Sequence, residues 1–202
     1  MNDETQPEGA TPGDDTSGLI LTRLTSREAR NAVELEHISR AYKKYIYRAR
    51  RKKSGTQWLT DEFLRKVHRD MFGSIWEWGG KYRTVQLNLG IPWQQIIEQI
   101  HILCEDFRSW DSDGSSMPVI EIAARLQNRL ARIHPFTNGN GRHARLITDI
   151  FFHSRGHNLP KWPQIHLESQ GDAVREQYIT AMRAADQGEF TELISFMEEY
   201  LK

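Results

Sequence analysis

The 202-residue chain has one cysteine, no long apolar run and no net charge, since 27 Lys and Arg balance 27 Asp and Glu. A single thiol excludes an intramolecular disulfide and a multi-cysteine zinc site. Cys104 sits in the apolar-periodic run QIIEQIHILCEDF and reads as a buried thiol. No stretch reaches the roughly 20 apolar residues of a membrane span, and the first residues lack a basic-then-apolar leader pattern. A balanced charge gives no global field toward nucleic acid or an anionic membrane, so any anion site must be local. These absences predict a cytoplasmic protein with neither nucleic acid nor membrane as partner.

What is present is helical periodicity. Residues 1–18, MNDETQPEGATPGDDTSG, hold almost no large apolar side chain and predict a disordered arm. Residues 19–202 are expected to form a single domain. A long first helix follows Thr25 or Ser26 as cap and closes in the basic run Arg48 to Lys53. A second runs from Thr60 to Gly73 with Phe63, Leu64, Val67 and Met71 on one face. Helical spacing resumes over Gln94–Trp110 and Pro118–Ile133. The segment ARLITDIFFHSRG is apolar enough for a buried central helix, and two more helices with a break near Gly188 complete the chain. Between the second and third helices, SIWEWGGKYRTVQLNLGIPW carries Gly79-Gly80 and β-formers and reads as a loop with an extended flap. Lys81 and Arg83 in it read as solvated charges. The architecture is therefore all-α, a helical bundle with one short β-hairpin flap.

The stretch with most chemistry is IHPFTNGNGRHARL, residues 133–146. Successive N–H groups of a Gly-Asn-Gly turn can converge on an anion, and a helix beginning there adds its positive end. Arg142 and Arg145, three apart, share a helix face and suit a polyphosphate. His134 just upstream can take a proton from an incoming hydroxyl. Taken alone, this stretch fits a structural helix–turn–helix equally well. His153 and His157 have the i, i+4 spacing of a zinc helix, but no Glu follows the first and Gly156 interrupts them. His143 reads as exposed.

HPFTNGNGRHAR resembles the signature of the Fic (Fido) family, His-x-Phe-x-(Asp or Glu)-Gly-Asn-Gly-Arg-x-x-Arg, with one departure. WEWGGKYRTVQLNLG is similar to the family's Trp-Ala-Gly-x-x-Arg segment and flap, and YITAMRAADQGEFTELISFM to its closing helices. Within the family, the sequence looks nearest to the small bacterial proteins called mobile mystery protein B. The resemblance implies a Fic-fold bundle and transfer of AMP from ATP to a Ser, Thr or Tyr hydroxyl of a protein target. It implies His134 as general base and Phe136 as loop anchor. Gly139, Asn140 and Gly141 would form the nest, with Asn140 contacting phosphate. Arg142 would bind the β-phosphate region and Arg145 the γ-phosphate. The flap, Val85, Gln86, Leu87, Asn88, Leu89 and Gly90, would dock the target backbone as an added strand.

The departure is Asn138, where the family usually has an acid for Mg²⁺; a neutral amide oxygen implies weakened metal binding. Phosphotransfer or other nucleotidyl transfer, and a degenerate nucleotide-binding or interaction module, stay open on that ground. Many family members also carry an inhibitory (Ser or Thr)-x-x-x-(Glu or Asp)-(Gly or Asn) helix whose acid pairs with the second arginine. No clean copy exists here; Glu34 and Glu36 on the first helix, and Glu199 in SFMEEY, are the candidate acids. An antitoxin-like regulator is a further possible partner.

Overall fold

A computed structural model describes residues 16–49, 58–163, 167 and 171–201. Helix α1 spans Arg27–Ala49, and Ser26 Oγ caps it by accepting from Ala29 N at 3.1 Å. Its inward face is partly polar: Arg30, Glu34, Ala41 and Tyr45 are buried, while Leu35 points outward. Helix α2 spans Asp61–Phe72, with Thr60 Oγ1 accepting from Phe63 N. It buries Leu64, Val67, His68, Met71 and Phe72. A 3-10 turn at Trp93–Gln95 leads into α3, Ile96–Trp110, and α4 covers Val119–Ile133. Helix α5 is Asn140–Ser154, and a closing pair, α6 (Ala173–Asp186) and α7 (Thr191–Tyr200), packs on α4.

Helix α5 is the axis of the bundle. Residues from His143 to Phe152 are all buried, because α1, α2 and α4 pack around it. Full burial of a side chain such as Phe151 stabilises the fold by about 1.5–3 kcal/mol, an upper range for a chain that is extended when unfolded. The same encirclement corrects the expectation for His143. With no outward face on α5, its ring is 1% exposed and its Nε2 donates to Leu64 O at 3.0 Å. Arg155 Nε donates to Asp111 Oδ1 at 2.8 Å and fastens the end of α5 to the end of α3. That helix stops at Ser154, so His153 and His157 do not share a helical face. Cys104 is buried, and desolvation pushes its thiol up to about 11.

Of the expected arm, residues 1–15 lie outside the described residues; at its last position Gly18 O accepts from Glu77 N at 2.8 Å, and Leu19, where the domain was expected to begin, bridges Trp76. The end of the helix α1 basic run, residues 50–53, also lies outside them. The flap has no hairpin ladder among the described residues; the one bridge nearby pairs Tyr82 with Phe136. Its carbonyls at Val85 and Ile91 are taken instead by the Arg83 guanidinium. Arg83 is 3% exposed, which overturns its reading as a solvated charge; Lys81 is exposed as expected. No helix among the described residues is long and apolar enough to cross a membrane.

Candidate active site

The loop joining α4 to α5 is made by backbone geometry that few residues adopt. His134 ends α4 in the left-handed region, φ 51° and ψ 59°, with its N–H donating to Leu130 O at 3.1 Å. Five residues on, Gly139 is left-handed again at φ 76° and caps α5. A Cβ on Gly139 would stand 2.5 Å from the Phe72 ring, so both the dihedral and the space require glycine.

Side chains then clamp the loop. Asn140 grips Phe136 at both ends: its Oδ1 accepts from Phe136 N at 2.9 Å and its Nδ2 donates to Phe136 O at 2.8 Å. With only 3% exposure and both ends engaged, this side-chain amide is a structural clasp of the loop. The Phe136 ring stacks on His68 at 3.6 Å between centroids. His68 Nδ1 accepts from Gly80 N at 2.9 Å, so the proton sits on Nε2, which donates to Asn138 O at 3.0 Å. Burial, with His143 beside it, holds His68 well below the usual histidine range and therefore neutral. One imidazole thus ties the Gly79-Gly80 turn to the loop.

His134 is half-buried. Its Nδ1 lies 3.3 Å from Ala131 O, and a carbonyl can only accept, so Nδ1 carries the proton. Nε2 is left with its lone pair. Desolvation lowers its pKa to about 4, with the Arg83 charge adding to the shift, and the ring is neutral at pH 7.

At the start of α5 the first intrahelical bond runs from His143 N to Gly139 O, 2.9 Å. The N–H groups of Asn140, Gly141 and Arg142 precede it and form the positive helix end. Gly139 N is spent locally, donating to Asn138 Oδ1 at 2.6 Å. Of the residues expected to form a nest, Gly139, Asn140 and Gly141, the first therefore has its N–H already engaged within the loop.

Beside this end lies a cavity of about 830 Å³ between α1, α5 and the flap. Asn138, Arg142, Arg145, Glu34, Val85 and Leu87 contribute to its wall. Arg142 lies over the Phe72 ring, 4.9 Å from its centroid, and its Nη1 is 2.7 Å from Glu34 Oε2. The other Glu34 oxygen accepts from Trp76 Nε1 at 2.7 Å. An acid of α1 does reach the motif, but in this structure its partner is the first arginine rather than the second. Arg145 is buried next to Asp149, whose Oδ1 accepts from Trp162 Nε1 at 2.8 Å. Burial raises Asp149 to about 8, while the Trp162 hydrogen bond and the Arg145 charge pull the other way.

Other candidates stand apart. Glu36 is exposed and paired with Arg40, and Glu199 is exposed on α7. In the flap, Val85, Gln86, Asn88 and Gly90 are exposed and Leu87 and Leu89 half-buried. Sequence reasoning missed His68, Arg83, Trp76, Asp149 and Trp162 as parts of the site. The one signal for His68 was its place four residues before Phe72 on the inward face of α2.

The family model for "Fic/DOC family" matches residues 58–152, from just before α2 through the motif to the last turn of α5. Residues 58–152 are thus similar to a Fic/DOC family domain. Protein adenylyltransferase fic-1 of Caenorhabditis briggsae is 25% identical over 191 residues, 91% of this chain and 34% of the relative. The chain thus spans about a third of the length of that relative. A Fic domain containing signaling protein from Bacteroides thetaiotaomicron superposes with a TM-score of 0.67 at 18% identity, over 83% of this chain and 68% of that one. The BepC effector of Bartonella tribocorum, solved with bound AMPPNP, gives 0.56 at 19% identity, over 84% and 86% of the two chains. The helical bundle has the Fic fold.

Proposed function

We propose that this chain is a protein adenylyltransferase, transferring AMP from ATP to a Ser, Thr or Tyr hydroxyl of a protein target. The observation that carries this reading is the tautomer of His134, whose unprotonated Nε2 stands at the loop leading into the positive end of α5. In the proposed step His134 Nε2 takes the hydroxyl proton while the oxygen bonds to the α-phosphorus. The bond between that phosphorus and the β-bridging oxygen breaks, and pyrophosphate leaves. The triphosphate lies along the N–H groups of Asn140, Gly141 and Arg142, with Arg142 on the β-phosphate region and Arg145 on the γ-phosphate. Such catalysis is positioning and charge neutralisation. The adenylyltransferase name of the Caenorhabditis relative and the AMPPNP bound in the Bartonella effector support ATP as substrate.

The flap docks the target backbone as an added strand, which its exposed Val85, Gln86 and Asn88 leave room for. Magnesium fits these residues poorly: Asn138 offers a neutral oxygen that already accepts from Gly139 N. Phosphate charge is therefore met by the arginines and the helix end. Glu34 acts as the restraint, holding Arg142 away from phosphate. Kinship with the small bacterial Fic proteins, a cytoplasmic setting and an antitoxin-like regulator complete the proposal.

Incubation with α-labelled and γ-labelled ATP and a cell lysate tests it, with His134→Ala as control. Label from the α-position that disappears in the variant supports adenylylation. Label from the γ-position alone would replace it by phosphotransfer, and neither label by a nucleotide-binding module.

A further inference from the structure

Arg83 holds together two parts of the site that the chain separates by about fifty residues. Its guanidinium is buried, and the acceptors it reaches are main-chain carbonyls rather than a carboxylate. Nε donates to His134 O at 2.8 Å, Nη1 to Val85 O at 3.0 Å and Nη2 to Ile91 O at 2.5 Å. Its own N–H donates to Pro135 O at 2.9 Å. A buried cation is costly unless every donor is matched, and a rigid planar fork matches three separate carbonyls in a way a single ammonium cannot.

The positions of those carbonyls give the arrangement its meaning. Val85 and Ile91 are the two roots of the flap, and the third carbonyl belongs to His134 in its left-handed conformation. The flap also presses on the same residue directly. A Cβ on Gly90, at φ 89°, would stand 2.6 Å from His134 Cβ and 2.8 Å from Arg83 Nη2. Flap, guanidinium and His134 backbone therefore form one packed unit.

We infer that Arg83 is a positioning residue that couples the flap to the base, so that the shape of the target-docking segment and the orientation of His134 are set together. The inference rests on the roles proposed above for His134 and the flap. Its consequence is that disturbing the flap roots disturbs the base even though no catalytic group has been altered.

The test uses the full chain with Arg83→Lys, which keeps the charge but not the fork, and Gly90→Ala, which leaves Arg83 in place but wedges a methyl group into the unit. Amide hydrogen exchange is followed by mass spectrometry in peptides covering 84–91 and 133–139, ATP affinity by calorimetry, and self-modification with α-labelled ATP by initial rate. Loss of charged hydrogen bonds should speed exchange by about tenfold or more in both peptides together. Turnover should fall by a similar factor while ATP affinity and the apparent KM for ATP stay within about twofold, because α5 is untouched. Faster exchange in 84–91 with 133–139 unchanged, or both faster with wild-type turnover, overturns the coupling. If Arg83→Lys does not fold, Gly90→Ala decides by the same criteria. If the wild-type chain transfers no α-label, the adenylylation reading fails by itself, and the paired exchange response still decides the coupling.

Discussion

Glu34 and Arg142, 108 positions apart in sequence, form an ion pair of 2.7 Å across the wall of the cavity, with the acid held from its other side by Trp76. The acid is only 6% exposed. An arginine so engaged has one edge of its fork committed to a carboxylate, and a phosphate must displace it.

Glu34→Gln should therefore raise self-modification with α-labelled ATP. Glutamine keeps the length, the helix propensity and an oxygen for Trp76, and deletes only the negative charge that faces Arg142. A hydrogen bond to a charged group is worth about 1.5–3 kcal/mol, so an increase on the order of tenfold or more is expected. Glu36→Gln and Glu199→Gln should stay flat, since both acids are exposed. Equal activity of the Glu34 variant and the wild type would remove Glu34 as a restraint and favour a separate regulator.

Asn138→Asp tests the departure from the family motif. The substitution returns an anionic oxygen beside the phosphates, so α-label transfer should rise and half-saturating magnesium should fall in a metal titration. The new carboxylate still accepts from Gly139 N, which keeps the turn intact. A drop in transfer with no change in magnesium dependence would mean that the amide has been put to a different use.

What was legible in the sequence followed from short-range rules. Helix α2 announced itself by Thr60 and a clean apolar stripe, and α5 by an apolar run long enough to be encircled. Gly139 read correctly as a turn. The contacts that failed to show are those made by side chains to main-chain groups, whether near in sequence, as Phe136 is to Asn140, or 51 residues away, as His134 is from Arg83. Residue type and spacing do not say that Arg83 will find three carbonyls, or that Asn140 will spend its amide on Phe136. His143 was misjudged because a motif position was read without its helix; the central burial predicted for α5 already denied it an outward face. Of the candidate acids, Glu34 is the one that meets the motif, and which arginine it meets depends on how α1 crosses α5, which periodicity does not fix.

Three buried or half-buried histidines predict an acid limit. His134 and His143 are lowered to about 4 and His68 is lowered as well, each chiefly by desolvation. A group whose folded pKa lies below its unfolded value of about 6.5 gives stability that is present above 6.5 and lost as pH falls toward the folded value. Chemical denaturation should show stability dropping between pH 6.5 and 4, each such group contributing a slope of about 1.4 kcal/mol per pH unit. Because His134 is lowered to about 4 and stays neutral down to pH 5.5, transfer measured on protein that remains folded should be flat from pH 7.5 to 5.5. A fall in rate with a midpoint near 6.5 would show that His134 titrates as an ordinary exposed histidine.

Asp149 predicts the opposite slope on the alkaline side. Its carboxyl is 3% exposed, accepts from Trp162 Nε1 and is raised from 3.8 to about 8 by burial, so at neutral pH it is protonated in the fold and ionised in the unfolded chain. A raised carboxyl binds more protons folded than unfolded between the two values, and stability then falls as pH rises through that window. Between pH 6.5 and 8 the histidines contribute little, and the wild-type chain should lose about 1.4 kcal/mol per pH unit from this residue. Asp149→Asn keeps an oxygen for Trp162 and cannot ionise, so its stability should be level over the same interval and exceed that of the wild type most at pH 8. Denaturation curves at pH 6.5, 7.25 and 8, followed by tryptophan fluorescence, supply the two slopes. Parallel slopes in the two proteins would mean that Asp149 is already ionised in the fold, held by Arg145, and that the salt link outweighs the cost of burying the charge.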